Sequence, residues 1–311
     1  MIKKIIFFVL VLLFYSFVAF SEQISIVTKV NENIITNIDI KKEIAYLKFL
    51  NPKLNEIKNK KHIFNLGKSS LIKEMIKKKE LKKYLDINKD YNVLKKIEKD
   101  LILKKSLKNK NELEKLINTK NLNYKEVLLK LKIEALWNEL IYQKYNKSVK
   151  INEDYLRQQV KMNKKNIKNK YNYYLYEILF EVDQKENLND KLNLIKSNIE
   201  KIGFKNTANI YGISDSAKFG GEIGWIKESQ LSNTIIKKIK NLKINEISDT
   251  LQTPNGYLIL KISKKEKINE PFDEKKNLAM IKEFEINRQL GQFSLIHYKR
   301  LKKDALINDY E

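Results

Sequence analysis

The fold of this chain is decided by one stretch, residues 214–225, which reads SDSAKFGGEIGW. The glycine pair Gly220-Gly221 and the nearby Gly224 bracket the start of a short segment that predicts a β-strand over 222–227. Glycine adopts positive φ without a steric penalty, so this spacing permits a tight turn directly before a strand. These glycines need no catalytic role, and they mark a unit in which strands and helices alternate.

The residues around this stretch, 172–264, differ in character from the rest of the chain. Six of the eight glycines fall within 203–256. Apolar patterning predicts three strands and two helices in this unit: strands over 173–182, 222–227 and 256–263, and helices over 187–202 and 231–241. The polar stretch 163–170, rich in lysine and asparagine, predicts a linker before the unit. A compact unit with a small sheet and flanking helices is therefore expected.

The flanking residues predict helices. Thr36 or Asn37 is the expected N-cap of the first helix, with Asp39 in its first turn. Apolar residues at helical spacing then predict further helices over 62–85, 90–105, 110–118 and 123–147. After Pro271, apolar residues at the same spacing predict a long amphipathic C-terminal helix.

The N-terminal residues have the order of a secretory signal peptide. Lys3 and Lys4 precede an apolar run over 5–20, and Ala19-Phe20-Ser21 places small residues at the −3 and −1 positions for cleavage before Glu22. The run is slightly shorter than the ~20 residues of a membrane-spanning helix. We therefore predict export and a mature chain without stable membrane insertion; an uncleaved inner-membrane anchor that faces the periplasm is the alternative.

Composition narrows the possible partners. The formal net charge is +24, but only three of the 62 basic residues are arginine. Nucleic-acid surfaces usually use arginine forks, and here lysine is spread along the chain, so solvated helix faces are favoured over a nucleic-acid site. There is no cysteine, and no set of His, Asp and Glu has the spacing of metal ligands. We predict no metal and no cofactor.

Three stretches together resemble the parvulin family of peptidyl-prolyl isomerases. They are YEILF at 176–180, the glycine-containing stretch 214–225, and TPNGYLILKI at 253–262. Their order and spacing are similar to the family's over the whole unit 172–264, which is far more specific than a glycine pair alone. The resemblance implies a parvulin fold and, where the site is complete, cis–trans isomerisation of X–Pro peptide bonds.

The helices on both sides of this unit resemble the SurA family of periplasmic chaperones. Better-known members carry two parvulin domains, whereas this chain has room for one. The expected fold is α+β: a helical SurA-type N-terminal domain completed by a C-terminal helix, with one inserted parvulin-like domain. The predicted segments are a signal peptide (1–21), the helical chaperone domain (22–162), a linker (163–171), the parvulin-like domain (172–264) and a C-terminal helix that packs on the N-terminal domain (265–311).

The resemblance also locates a degenerate site. Parvulins carry two histidines at the floor of the proline pocket, and the equivalent positions here are Glu177 and Leu258. The chain's two histidines, His62 and His297, lie outside the unit. Without the resemblance, the residue types predict that Glu177 is a partly exposed strand residue and that Leu258 is a core residue.

The other site positions keep more of the family pattern. The position of the family's Cys or Asp falls at Ser214, and Thr253 is retained, although it is also a natural turn residue. The expected substrate-binding residues are Leu231, Ile235 and Tyr257, of which the first two keep the pocket's apolar wall. No residue is assigned a catalytic role.

These observations lead to three functional hypotheses: the two that follow and, if the N-terminal apolar run is not cleaved, a membrane-anchored foldase. The first is a periplasmic, ATP-independent chaperone that binds unfolded polypeptides, above all outer-membrane protein precursors, and whose isomerase domain is inactive. The second is an active prolyl isomerase with an altered pocket.

Overall fold

The structure of the chain is a computed structural model that describes residues 23–89, 92–165, 171–183, 186–268 and 273–310. The predicted signal peptide and most of the predicted linker lie outside these residues.

A β-hairpin opens the described chain and leads directly into the first helix. Strands β1 (Ile26–Val30) and β2 (Asn33–Thr36) pair antiparallel, and α1 (Asn37–Leu50) follows without a loop. The Asp39 carboxylate accepts a hydrogen bond from the Thr36 backbone N–H at 2.9 Å, and the Thr36 hydroxyl accepts one from the Asp39 N–H at 3.2 Å. This reciprocal capping box satisfies two backbone donors that the helix leaves unpaired. The expectation of an N-cap at Thr36 or Asn37 is confirmed at Thr36.

Five more helices complete the N-terminal part of the chain: α2 (Lys60–Leu81), α3 (Val93–Lys104), α4 (Lys110–Asn118), α5 (Tyr124–Tyr145) and α6 (Glu153–Lys165). Leu47, Leu54, Leu113 and Ile117 bury their side chains in a common core with the first half of α5. Among the described residues, no helix is both long and apolar enough to cross a membrane.

The middle unit is a four-stranded antiparallel sheet with helices on both faces. Its elements are β3 (Tyr171–Phe180), α7 (Leu188–Ile202), α8 (Phe204–Tyr211), a 3₁₀ turn (Asp215–Phe219), β4 (Glu222–Lys227), α9 (Asn233–Ile239), β5 (Leu251–Thr253) and β6 (Gly256–Lys267). The strand order is β4-β3-β6-β5. Ile178 and Phe180 pack against α7 and α8, whereas Leu175 packs toward α9 on the opposite face.

The C-terminal residues return to the N-terminal helices. Helix α10 (Glu274–Lys303) packs Leu290, Phe293 and Leu301 against the second half of α5. Strand β7 (Ile307–Asp309) then adds to the opening hairpin, so the small sheet has the order β2-β1-β7 with Ile307 opposite Val30. The predicted α+β class, with helices around small antiparallel sheets, is confirmed.

Several predicted boundaries differ from those observed. Strand β3 begins at Tyr171, inside the predicted linker, and α6 continues to Lys165. Strand β6 continues to Lys267, beyond the predicted domain end at 264, because its last residues pair with the start of β3. The C-terminal segment contains β7 as well as a helix. Helix α8 and the three-residue strands β5 and β7 had no predicted counterpart, since segments this short show too few turns or alternations to be recognised.

Candidate functional site

A cavity of about 370 Å³ lies between the sheet of the middle unit and the C-terminal helix. We call it the front cavity. Its floor is formed by Leu175 and Glu177 on β3 and by Leu258 and Leu260 on β6, because alternate residues of a strand point to the same face. Its apolar side wall is formed by Leu231, which lies just before α9, and by Ile235 on α9. Its roof comes from α10: Phe284, Arg288, Gly291, Leu295 and Tyr298.

The Glu177 carboxyl group is the main polar group on the floor. Its Oε1 accepts a hydrogen bond from the Ser216 hydroxyl at 2.8 Å, and the Ser214 and Ser216 hydroxyl oxygens are also 2.8 Å apart. Burial raises the pKa of the Glu177 carboxyl above its ordinary value, and the hydrogen bonds from the two serines only partly oppose this. The floor therefore has one carboxyl and two hydroxyls in a hydrogen-bonded row.

The glycine pair fixes how closely the serine-containing loop approaches the floor. The Glu177 N–H donates to the Gly221 carbonyl at 2.7 Å. Gly221 has φ +75°, and a Cβ on it would lie 2.0 Å from the Glu177 carbonyl oxygen. Only glycine fits this position, which is the structural reason for the second glycine of the stretch 214–225.

The middle unit has known relatives. Residues 177–264 match the family model described as "Rotamase: PPIC-type PPIASE domain". The chain carries a parvulin domain. Curated relatives include a chaperone SurA from Pseudomonas putida, 38% identical over 52 residues that span 17% of this chain and 12% of that protein. A foldase protein PrsA from Bacillus subtilis is 32% identical over 108 residues, which span 34% of this chain and 36% of that protein.

The similarity covers only part of these relatives' length, about a third at most. A solved structure from Campylobacter jejuni, described as one of two structurally related SurA-like chaperones, aligns over 92% of this chain and 99% of that chain, with 15% identity and a TM-score of 0.39.

The parvulin domain brings most of the predicted site residues together, but not all of them. Glu177, Ser214, Thr253, Leu258, Leu231 and Ile235 line the front cavity. Tyr257 does not: its ring stacks on Phe180, with centroids 5.8 Å apart, on the opposite face of the sheet. Strand alternation explains the correction, since a residue next to the floor residue Leu258 must point the other way.

The hydroxyl of Thr253 is already used within the β5–β6 turn. Its Oγ1 donates to the Gly256 carbonyl at 2.9 Å and accepts the Asn255 N–H at 3.3 Å. Thr253 therefore acts as a turn residue at the edge of the cavity.

The serine-containing loop of the parvulin domain is bound to the N-terminal helices by ion pairs. Asp215 contacts Lys73 at 2.9 Å and Lys77 at 3.0 Å, both on α2. Lys77 has a fully buried side chain and also contacts Glu134 of α5 at 2.7 Å, while Lys218 contacts Glu134 at 3.1 Å. Burial alone would raise the pKa of Asp215, but Lys77 and Lys73 hold it well below its usual range.

Sequence reasoning missed this network and the roof of the cavity. Lys73 and Lys77 are four residues apart, so they share one face of α2, but nothing in a lysine-rich helix distinguishes them from solvated neighbours. Phe284 belongs to the apolar stripe predicted for the C-terminal helix, but Leu295 and Tyr298 do not, and only the tertiary packing shows which residues of this helix face a cavity.

We expect Glu177→Gln to make stability less sensitive to pH. The raised pKa means that the folded state holds the Glu177 proton more tightly than the unfolded state does. The group's contribution is therefore most favourable at low pH, and stability declines as pH rises from about 4 through the folded-state pKa. Glutamine keeps an acceptor for Ser216 but does not ionise, so the variant should gain stability relative to the wild type as pH rises.

Urea unfolding of both proteins between about pH 4 and pH 8 measures this difference. An equal stability difference at every pH would show that Glu177 is as well solvated as an ordinary surface glutamate.

Proposed function

We propose that this protein is a chaperone that holds unfolded polypeptides, and that the front cavity of its parvulin domain binds an apolar client side chain instead of catalysing isomerisation. The observation that carries this proposal is the lining of the cavity. Leucine and isoleucine side chains form its floor and wall, α10 forms its roof, and the family's histidine positions hold Glu177 and Leu258. The cavity offers a bound chain burial but few polar contacts.

Isomerisation needs more than such a cavity supplies. The X–Pro bond rotates over a barrier of ~18–20 kcal/mol, which an enzyme lowers by binding the twisted amide better than the planar one. Leu258 offers no hydrogen bond, the Thr253 hydroxyl is engaged in its turn, and Glu177 is paired with Ser216. We therefore propose that isomerase activity is absent or strongly reduced.

The expected clients are extended segments with regularly spaced apolar residues. Outer-membrane protein precursors have this pattern, because the strands of a β-barrel alternate apolar and polar side chains. The N-terminal residues, with the order of a signal peptide, favour the periplasm as the place of action, with an inner-membrane anchor as the alternative. The names of two relatives, chaperone SurA and foldase PrsA, agree with this class of function.

An isomerase with an altered pocket is the second candidate. The row of Glu177, Ser216 and Ser214 favours it, since a neutral carboxyl group can donate a hydrogen bond to a substrate amide. A proline-peptide isomerisation assay on the chain from Glu22 onward separates the two candidates. We expect a rate close to the uncatalysed one; a rate like that of an active parvulin would establish the second candidate.

Gly291 provides a test of the cavity as a binding site. It lies inside α10 on the roof of the cavity, and a Cβ there would meet no atom within 4 Å. Gly291→Ala should stabilise the helix by about 1 kcal/mol and leave the cavity open. Gly291→Leu should keep that gain but occupy the cavity, and so weaken binding of an unfolded client about tenfold or more.

Client binding by the two variants can be measured as suppression of aggregation of an unfolded barrel precursor. Glu283→Leu, which adds a leucine to an exposed position of α10 outside the cavity lining, is the matched control. Equal holding activity in Gly291→Leu and Gly291→Ala would place the client site elsewhere on the molecule.

A further inference from the structure

A second cavity of about 390 Å³ lies behind the serine-containing loop, between the parvulin domain and the N-terminal helices. We call it the rear cavity. One wall is formed by α1, α2 and α5, and the other by the end of α8 and the loop that follows it. Asn65 and Ser69, two exposed polar residues of α2, form part of its lining.

The two cavities share three lining residues: Lys73, Ser214 and Asp215. These polar side chains form the partition between them. The side chains of Lys73 and Asp215 are 27% and 38% exposed, so the ion pair that joins them is reached by solvent. Asp215 is also held by the fully buried Lys77, so Lys73 is the side of the partition that can move aside most easily, more so than packed apolar groups would.

The rear cavity contains a buried hydrogen-bond donor that lacks an acceptor. Asn209 is 4% exposed and lines this cavity. Its Oδ1 accepts a hydrogen bond from Asn51 Nδ2 at 2.5 Å, which fixes the orientation of the amide, and its Nδ2 has no partner among the described residues. An unpaired buried donor costs about 1–3 kcal/mol, and a carbonyl oxygen from a bound chain would supply the partner.

The charges in the rear cavity are already paired. Lys130 contacts both Glu43 and Glu74, and the remaining acids of the lining, Glu134 and Asp215, belong to the network around Lys77. Such a lining offers hydrogen bonds without an excess of either charge. It suits the neutral amides of a polypeptide better than a phosphate group. Within the described residues there is also no cluster of His, Asp and Glu that could hold a metal ion.

We propose that the front and rear cavities are two parts of one channel that binds an extended polypeptide. The front cavity takes an apolar side chain, and the rear cavity takes the neighbouring backbone, with Asn209 Nδ2 donating to a backbone carbonyl. The partition of Lys73 and Asp215 lies between the two parts. This inference rests on the proposed function, since the polypeptide that binds the front cavity is the one that would also contact the rear cavity.

Because the chain has no native cysteine, single cysteines can report on each cavity separately. Ser69→Cys places a thiol in the rear cavity, Gln292→Cys places one in the front cavity, and Lys79→Cys is an exposed control that lines neither. The rate of reaction with a small neutral maleimide is measured with two peptides in turn. The short peptide has one leucine between glycines, and the long peptide is the same sequence extended at both ends with serine and glycine.

We expect the short peptide to slow labelling of Gln292→Cys only, and the long peptide to slow labelling of both cavity cysteines, with no change for Lys79→Cys. Protection of Gln292→Cys alone by the long peptide would overturn the channel and leave the proposed function standing. Protection of Ser69→Cys by the short peptide would also overturn it, because the rear cavity would then take an apolar residue itself. If neither peptide protects either cysteine, the proposed function fails together with the channel.

A blocking variant gives an independent measurement. Ser69→Trp places a large side chain in the rear cavity from an exposed position of α2. It should weaken binding of the long peptide about tenfold, to the affinity of the short peptide, and leave the short peptide unaffected. Unchanged affinity for the long peptide would contradict the channel.

Discussion

Replacing Trp137 with alanine is expected to lower the free energy of unfolding by about 3–5 kcal/mol, the usual loss for a large buried aromatic. Trp137 is fully buried on α5, and its indole N–H donates to the Ser294 hydroxyl of α10 at 2.8 Å. Its ring also lies 5.5 Å from that of His297 and 5.2 Å from the Lys77 ammonium group. The substitution would leave a cavity between α5 and α10, an unpaired hydroxyl on Ser294 and a less covered Lys77.

Urea unfolding of the chain from Glu22 onward measures this loss. Tyr142→Ala is the matched control, because Tyr142 lies on the same helix and is 49% exposed; its effect should stay within about 0.5 kcal/mol. A loss below about 1 kcal/mol for Trp137→Ala would mean that the contact between α5 and α10 adds little to stability, and that the roof of the front cavity is held by other contacts.

The second large effect concerns the buried lysine between the parvulin domain and the N-terminal helices. Lys77 has two carboxylate partners, Glu134 and Asp215. Glu134→Gln or Asp215→Asn alone leaves it one partner, whereas the double variant leaves a fully buried ammonium group without a carboxylate. We expect the double variant to lose about 3–5 kcal/mol, more than the sum of the single losses.

A third substitution in that background identifies the cause. Lys77→Met removes the buried charge and keeps an unbranched side chain of similar length, so adding it to the double variant should recover most of the lost stability. Asp249→Asn breaks an exposed pair with Lys238 and should change stability by less than about 1 kcal/mol. Additive losses without recovery by Lys77→Met would show that water solvates Lys77 and that the network does not hold the parvulin domain in place.

Local patterns predicted the parvulin domain well. The positions of β4, β6 and α7 follow from alternation, helical spacing and the glycines at 220–224, because each depends on residues close together in the chain. The helix N-cap at Thr36 was predictable for the same reason, because the capping box joins residues only three positions apart. Tyr257 shows the limit of a family motif: it is next to Leu258 in β6, so strand alternation places its side chain on the opposite face of the sheet.

The candidate site was only half visible in the sequence. Its floor and wall, from Glu177 to Leu258, come from a single domain whose motif fixes their arrangement. Its roof comes from α10, and the ion pairs behind it come from α2 and α5. Some of these contacts join residues more than a hundred positions apart, such as Lys77 and Asp215, and a charged residue in a lysine-rich helix carries no local sign of its distant partner.

The sequence by itself predicted most of the helices and strands, and the resemblance of residues 172–264 to parvulins with Glu177 and Leu258 at that family's histidine positions, because these depend on residue type and short-range spacing. Only the tertiary structure decided that β7 pairs with β1, that α10 covers the pocket, and that the serine-containing loop separates two cavities. The physical reason is that such arrangements are selected by how much apolar surface and how many charges the assembled elements bury together. That quantity belongs to the whole fold and cannot be read from any one segment.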